Sequence, residues 1–187
     1  FWNVGSGGDT EESTTITDYR ADYRVDDAGA LSVTETITVD FPTSDKHGVF
    51  RFFDRAASGL DTARVTPHDI AVTMDGRTVP YEVLEEQHGR ITNLKIGDPD
   101  SYLSPGKHTY EISYAVDGVL LPHDGRAQFF WDVVPGGWLQ PIDRAQITVS
   151  LPAATEPQRA LRDQSHCASH KTSPEIIVTC SPEMLIR

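Results

Sequence analysis

One carboxylate sits out of keeping with its neighbours. In the run Leu31, Val33, Glu35, Ile37, Val39, Phe41, every second residue is apolar except Glu35, and the residues between them are Ser32, Thr34, Thr36, Thr38 and Asp40. A strand sorts such an alternation onto two faces, so Glu35 falls on the inward one. A lone carboxylate there loses its water without compensation, and it requires a partner. The segment His47-Gly48-Val49-Phe50-Arg51-Phe52-Phe53 sets Arg51 among large aromatics. A guanidinium fork can bond both carboxylate oxygens, and a structural Glu35–Arg51 ion pair is expected. The alternative is a catalytic carboxylate whose proton affinity burial has raised.

Cys167 and Cys180 are the two cysteines of the chain. An even count favours a disulfide if the domain is exported, closing a loop whose constraint is worth about 3 kcal/mol in the chain-entropy model. The alternative is a metal site, because His166, Cys167 and His170 cluster and Cys180 could complete a tetrahedral set. Against the metal, the cluster reads as a polar loop and not as firm elements carrying tight ligand pairs. Free thiols are the third reading. The remaining histidines (His47, His68, His88, His108 and His123) are scattered near turns and strand ends, with no spacing that unites three of them.

Other chemistry is thinly supported. Nucleophile-elbow, zinc-peptidase, phosphate-loop and dinucleotide patterns are all missing from the sequence. Gly97-Asp98-Pro99-Asp100 offers oxygens but lacks the alternating ligands and closing Glu of a calcium loop, and it reads as a solvated turn. A hydrolase built on an unrecognised carboxylate pair is permitted by 28 acidic residues, with no motif in its favour. Trp131 alternates with Ala127 and Phe129 and is expected in the core. Trp138 follows Pro135-Gly136-Gly137 and is the better candidate for exposure and glycan stacking, although packing over a sheet edge is the favoured reading. Val119, Leu120 and Leu121, beside the turn residues Asp117-Gly118, either continue a strand or form, with Trp138, an interaction patch.

The elements that must position these residues are strands. Tyr19, Ala21, Tyr23 and Val25 alternate with Asp18, Arg20, Asp22 and Arg24, a pattern that a helix would scatter over all its faces. Asp26-Asp27-Ala28-Gly29 supplies turn chemistry before the Leu31–Phe41 strand. Ile70, Val72, Met74 and Val79, Tyr81, Val83 flank Asp75-Gly76, a dipeptide suited to a type I′ turn. Asp124-Gly125 repeats that signal between the strands around Tyr110–Val116 and Ala127–Trp131. Further strands are expected at Ala145–Leu151 and Ile176–Cys180, and short helical turns only near Pro67-His68 and from Glu156 to Arg162. The pattern predicts an all-β fold, an antiparallel β-sandwich of loosely immunoglobulin-like kind with little helix. Residues 1–12 are expected to be a disordered or linker remnant and 13–187 a single domain.

Composition limits the partners. The chain has 187 residues, 38% of them hydrophobic, enough for a core that needs no metal or cofactor to fold. Its formal net charge is −12, with 16 basic against 28 acidic residues. That balance opposes nucleic acid, whose recognition requires a surplus of Lys and Arg, and opposes anionic lipid for the same reason. No apolar run approaches the roughly 20 residues needed to span a bilayer. The chain opens at Phe1 and not at Met, and reads as a processed or truncated piece.

A family resemblance gathers these motifs. Gly29-x-Leu31-x-Val33-Thr34-Glu35, then Phe41 and His47-Gly48-Val49-Phe50-Arg51, resemble the N-terminal extracytoplasmic domain of a family of predicted membrane proteins, domain of unknown function 2207. Tyr110-x-Ile112-x-Tyr114-x-Val116, Phe130-Trp131-Asp132, Trp138-x-x-Pro141-Ile142 and Val149-Ser150-Leu151-Pro152 follow in the same order, so the likeness runs from about Ile16 to Pro152. Asp132 departs from the Asn common there, and the cysteine region after Pro157 lies beyond the likeness. The resemblance implies a signal segment, an extracytoplasmic β domain, and downstream transmembrane helices that tether it. It brings no activity with it. The expectation is a non-enzymatic interaction or envelope-organising module, whose partner is another protein or the parent's own membrane region. A glycan-binding module is the alternative.

Overall fold

The computed structural model describes residues 14–55, 66–123, 126–129, 131, 138, 140–152, 167–172 and 175–180, with backbone alone at 121–123, 126, 128 and from 167 onward. All regular structure among them is strand. In chain order the strands are β1 (Thr15–Val25), β2 (Leu31–Phe41), β3 (Gly48–Asp54), β4 (His68–Met74), β5 (Arg77–Thr78), β6 (Tyr81–Glu86) and β7 (Ile91–Gly97). They continue as β8 (Gly106–Val116), β9 (Leu120–His123), β10 (Arg126–Phe129), β11 (Ala145–Ser150), β12 (Cys167–Thr172) and β13 (Glu175–Cys180).

Eight strands form one sheet in the order β12-β13-β11-β1-β2-β8-β4-β5, three form a second in the order β3-β7-β6, and β9 pairs with β10. The pairing is antiparallel except between β1 and β11, which run parallel from Tyr19↔Ala145 to Arg24↔Ser150. That pair departs from the wholly antiparallel arrangement that the sequence predicts. Its cause lies just upstream of β11, where Ile16 N–H donates to the Pro141 carbonyl (3.0 Å) and Tyr19 N–H to that of Arg144 (2.8 Å). The Pro141-Ile142 segment thus lays the chain alongside β1 in the same direction.

The long sheet has one apolar and one polar face. On β1, Tyr19, Ala21, Tyr23 and Val25 are buried, and on β2 so are Leu31, Val33, Glu35, Ile37, Val39 and Phe41. Tyr110, Ile112, Tyr114 and Val116 of β8 and Ala145, Ile147 and Val149 of β11 complete the same inward face. The smaller sheet meets it through Val49, Arg51 and Phe53 of β3 and Leu94 and Ile96 of β7, all buried. Phe53 packs edge-on against Tyr114, ring centroids 4.9 Å apart.

The turns follow their chemistry. Asp75 and Gly76 both adopt positive φ (52° and 73°) between the paired residues Met74 and Arg77, as a type I′ hairpin requires. Asp26 accepts the amides of Ala28 and Ala30 through one carboxylate oxygen (3.0 and 2.8 Å), closing the β1–β2 connection. Pro67 leads directly into β4, so no helical turn forms there, and the stretch from 156 to 162 lies outside the described residues.

Two expectations are corrected. Cys167–Thr172, read as a polar loop, is strand β12, paired along its length with β13. Tyr81 and Val83, whose alternation would give a half-buried strand one apolar inward face, are 38% and 51% exposed. They share cross-strand register with the buried Ile96 and Leu94, but β6 is the outer strand of its sheet and its inward row overruns the cover.

Candidate functional site

The candidate site is the charged centre of the interface between the two sheets. β2 carries Glu35 inward by strand alternation, and β3 carries Arg51 inward between Val49 and Phe53. Arg51 Nε donates to one Glu35 oxygen at 2.7 Å and its terminal Nη2 to the other at 2.5 Å, the bidentate geometry of a guanidinium fork. The side chains are 5% and 0% exposed, so this pair is dry. Tyr114 of β8 donates its hydroxyl to Glu35 Oε1 at 2.9 Å, and Arg51 Nη1 donates to the Phe52 carbonyl. The Arg51 guanidinium also lies over the Phe53 ring, 4.1 Å from its centroid.

Electrostatics at this centre lock the charge in place. Burial opposes the Arg51 cation, but the adjacent Glu35 carboxylate outweighs it and raises the Arg51 pKa above its ordinary value. Burial, reinforced by the negative charge of Glu35, raises the hydroxyls of Tyr19, Tyr23 and Tyr114, so all three stay neutral. Both Glu35 oxygens hold strong donors and neither reaches solvent. The arrangement can hold two sheets in register. It does not offer a base to an outside substrate.

The other singled-out residues are placed as follows. Val119 is buried (3% exposed) and donates its amide to the Gly29 carbonyl at 3.1 Å. Leu120 is half-buried against the core, while Leu121 is described in its backbone alone. Trp138 is half-buried, donates its indole N–H to the Phe50 carbonyl at 2.8 Å and meets Tyr19 edge-on at 5.8 Å. Of the residues read as an interaction patch, Val119 thus lies in the core and Leu120 and Trp138 pack against it half-buried. Trp131 is half-buried and stacks on Phe129 at 6.3 Å. Asp98 accepts from the Asp100 amide (2.9 Å) and the Ser101 hydroxyl (3.0 Å), so the acidic loop closes on itself as a turn.

Two of the histidines read from the sequence as scattered have defined partners. His47 is buried, its Nδ1 facing the Ser101 carbonyl at 2.9 Å, with Tyr102 tilted over its ring at 4.2 Å. His108 of β8 meets Asp75 at 2.7 Å and the Ser104 carbonyl at 2.9 Å. Neither pairing shows in local spacing, since Ser101 lies 54 residues from His47 and Asp75 lies 33 residues from His108. Among the described residues, no group of three or more His, Cys, Asp or Glu side chains is placed to hold a metal, and no helix is long and apolar enough to cross a membrane. His166 lies outside the described residues.

Fold and site together define an all-β domain whose sheets are fastened through a buried, bidentate ion pair. The chain belongs to the family described as predicted membrane protein (DUF2207), N-terminal domain, whose model matches residues 15–179. It is 27% identical over 131 residues to the uncharacterized protein YciQ of Escherichia coli (strain K12), across 68% of this chain and 20% of that protein. The chain thus spans about a fifth of the length of that relative. Among solved structures, native yeast LTA4 hydrolase aligns with a TM-score of 0.52 at 8% identity, over 91% of this chain and 27% of that one. An M1 zinc metallopeptidase from Deinococcus radiodurans aligns with a TM-score of 0.47 at 15% identity, over 92% and 39%. The yeast likeness is one of fold.

Proposed function

We propose that this chain is a non-enzymatic, extracytoplasmic domain of a membrane protein, working as an interaction module that docks on the rest of its parent chain. The observation that carries the non-enzymatic part is Glu35. Its inward carboxylate, the strongest acid–base candidate in the sequence, has both oxygens engaged by Arg51 and Tyr114 in a dry interior. A general base must instead reach a substrate proton. The hydrolase alternative therefore loses its best residue, and the likeness to peptidases supports a shared fold only. The glycan alternative is less favoured, since Trp138 is half-buried, with its indole N–H on the Phe50 carbonyl and its ring against Tyr19.

The docking part rests on the overrun of β6. Val83 extends the buried row of Ile96 and Leu94 out into solvent along what is, among the described residues, the outer strand of the small sheet, while Tyr81 beside it donates its hydroxyl to the Ile70 carbonyl at 3.0 Å. An outer strand with apolar side chains is a template for further pairing or packing. Membership in a membrane-protein family, and a relative of which this chain spans a fifth, favour the parent's own remaining chain as the occupant.

The test is a photo-crosslinking residue at Val83 in the full-length protein, in its native membrane. An intramolecular crosslink from Val83 to a segment beyond residue 187 is expected. Crosslinks to another envelope protein would move the partner, and none at all would end the docking reading. An epitope inserted at Asp75-Gly76 should be reached by antibody on spheroplasts whose cytoplasmic membrane is intact. Staining only after permeabilisation would overturn the extracytoplasmic placement.

A further inference from the structure

The long sheet lines up one row of residues across seven strands. Cys167 pairs with Cys180, Cys180 with Ala145, Ala145 with Tyr19, Tyr19 with Ile37, Ile37 with Tyr110 and Tyr110 with Met74. Ala145, Tyr19 and Tyr110 are 0% exposed and Ile37 is 2%. The two cysteines therefore stand as cross-strand partners at the outer end of the row that forms the core.

The register also fixes what kind of pair they make. Thr172 and Glu175 are partners flanking a two-residue connection. The pair that closes such a hairpin exchanges hydrogen bonds, and the type then alternates along the ladder. Cys167↔Cys180 lies five pairs further on, which makes it a non-hydrogen-bonded pair. In such pairs the Cα atoms approach to about 4.5 Å and the Cβ atoms come closest, inside the range that a disulfide spans. The same strand period counts against a shared metal. His170 stands three residues from Cys167 on β12 and so belongs to the opposite face of the strand.

We infer that Cys167 and Cys180 form a cross-strand disulfide that ends the buried row and fastens the outermost hairpin, β12–β13. Closure forms one S–S bond and breaks two S–H bonds. The two electrons and two protons pass to a thiol–disulfide oxidoreductase of the oxidising envelope, whose own disulfide becomes a dithiol. That supply of oxidant rests on the extracytoplasmic reading above, whereas the geometry does not.

The experiment is acid trapping and alkylation of the full-length protein from its own membranes, followed by peptide mapping without reduction. A peptide linked through Cys167 and Cys180 is expected, lost in Cys167→Ser and in Cys180→Ser, with each variant unfolding several degrees lower. Free thiols that close when the folded protein meets oxidised glutathione would uphold the pairing and overturn the compartment. Free thiols that resist oxidised glutathione, or that become alkylatable only after a zinc chelator, would overturn the disulfide itself.

Discussion

At the scale of single residues, the interior charge makes two predictions of opposite sign. Arg51→Ala leaves the Glu35 carboxylate buried without its cation, and the expected loss is about 3–5 kcal/mol in denaturant unfolding. Replacing both partners with apolar residues of similar volume, Glu35→Leu with Arg51→Met, removes the desolvation penalty with the attraction. The double variant is expected to recover most of that stability, and a coupling near zero between the two sites would refute a direct pair. His108 makes a pH-dependent contribution. Burial works against its cation, but the Asp75 carboxylate and the Ser104 carbonyl prevail and raise its pKa above 6.5. Its stabilisation is complete below that ordinary value and lost as pH rises through the raised one. Burial of Asp75 is likewise outweighed by the Thr109 amide and His108, which hold its carboxyl below 3.8, so its share is lost only as pH falls through that depressed value. Unfolding followed from about pH 5 to about pH 9 should therefore show a loss that His108→Gln reduces, the remainder including His68, whose pKa Asp69 and Asp117 also raise. An unchanged pH profile in that variant would remove the pair from the account.

At the scale of elements, β3 and β7 approach each other too closely for a side chain at Gly97. Gly97 pairs with Gly48 at a φ of 135°, and a Cβ there would sit 2.1 Å from the His47 carbonyl oxygen. That contact is with backbone, so nothing can swing aside. Gly97→Ala is expected to cost more than about 2 kcal/mol and to shift β3, and Arg51 with it. Gly76 is the control, since its φ is 73° but nothing lies within 4 Å of an added Cβ. Gly76→Ala should cost about 1 kcal/mol, the left-handed penalty alone, and equal losses at the two glycines would contradict the close approach. These elements were also the hardest to find in the sequence. β1 and β2 have a wet face and a dry face, and alternation reveals them. β3 instead has Phe50 and Phe52 half-buried on the side away from Val49, Arg51 and Phe53, so its pattern is a continuous apolar run. β7 buries Thr92 and Asn93, and β12 is mostly polar, so neither shows the period that marks a strand. The Glu35–Arg51 juxtaposition was legible for the opposite reason. A charge in an apolar register demands a partner, and few buried cations were on offer.

At the scale of the whole molecule, local pattern gave the all-β class but left the order of strands open. The parallel β1–β11 contact joins residues far apart in the chain, and hairpin signals speak only for neighbours. That contact nonetheless decides how the domain unfolds. The long sheet runs without a break from β12 near the C-terminus, through β1, to β5, and the small sheet is keyed to it by Arg51 and Phe53. Among the strands with described side chains, β1, β2, β8 and β11 each carry a buried inward row against their neighbours, so none of these four can leave without exposing it. The expected behaviour is one cooperative transition, in which tryptophan fluorescence and far-ultraviolet circular dichroism coincide. Deleting residues 1–12, read from the sequence as lying outside the domain, should leave the midpoint within about a degree. Ile16 donates its amide to Pro141 and accepts that of Asp143, so a deletion through Ile16 breaks the anchor of β11 and should lower it sharply. Two separated transitions in the intact chain would mean that the β11–β13 half folds as its own unit.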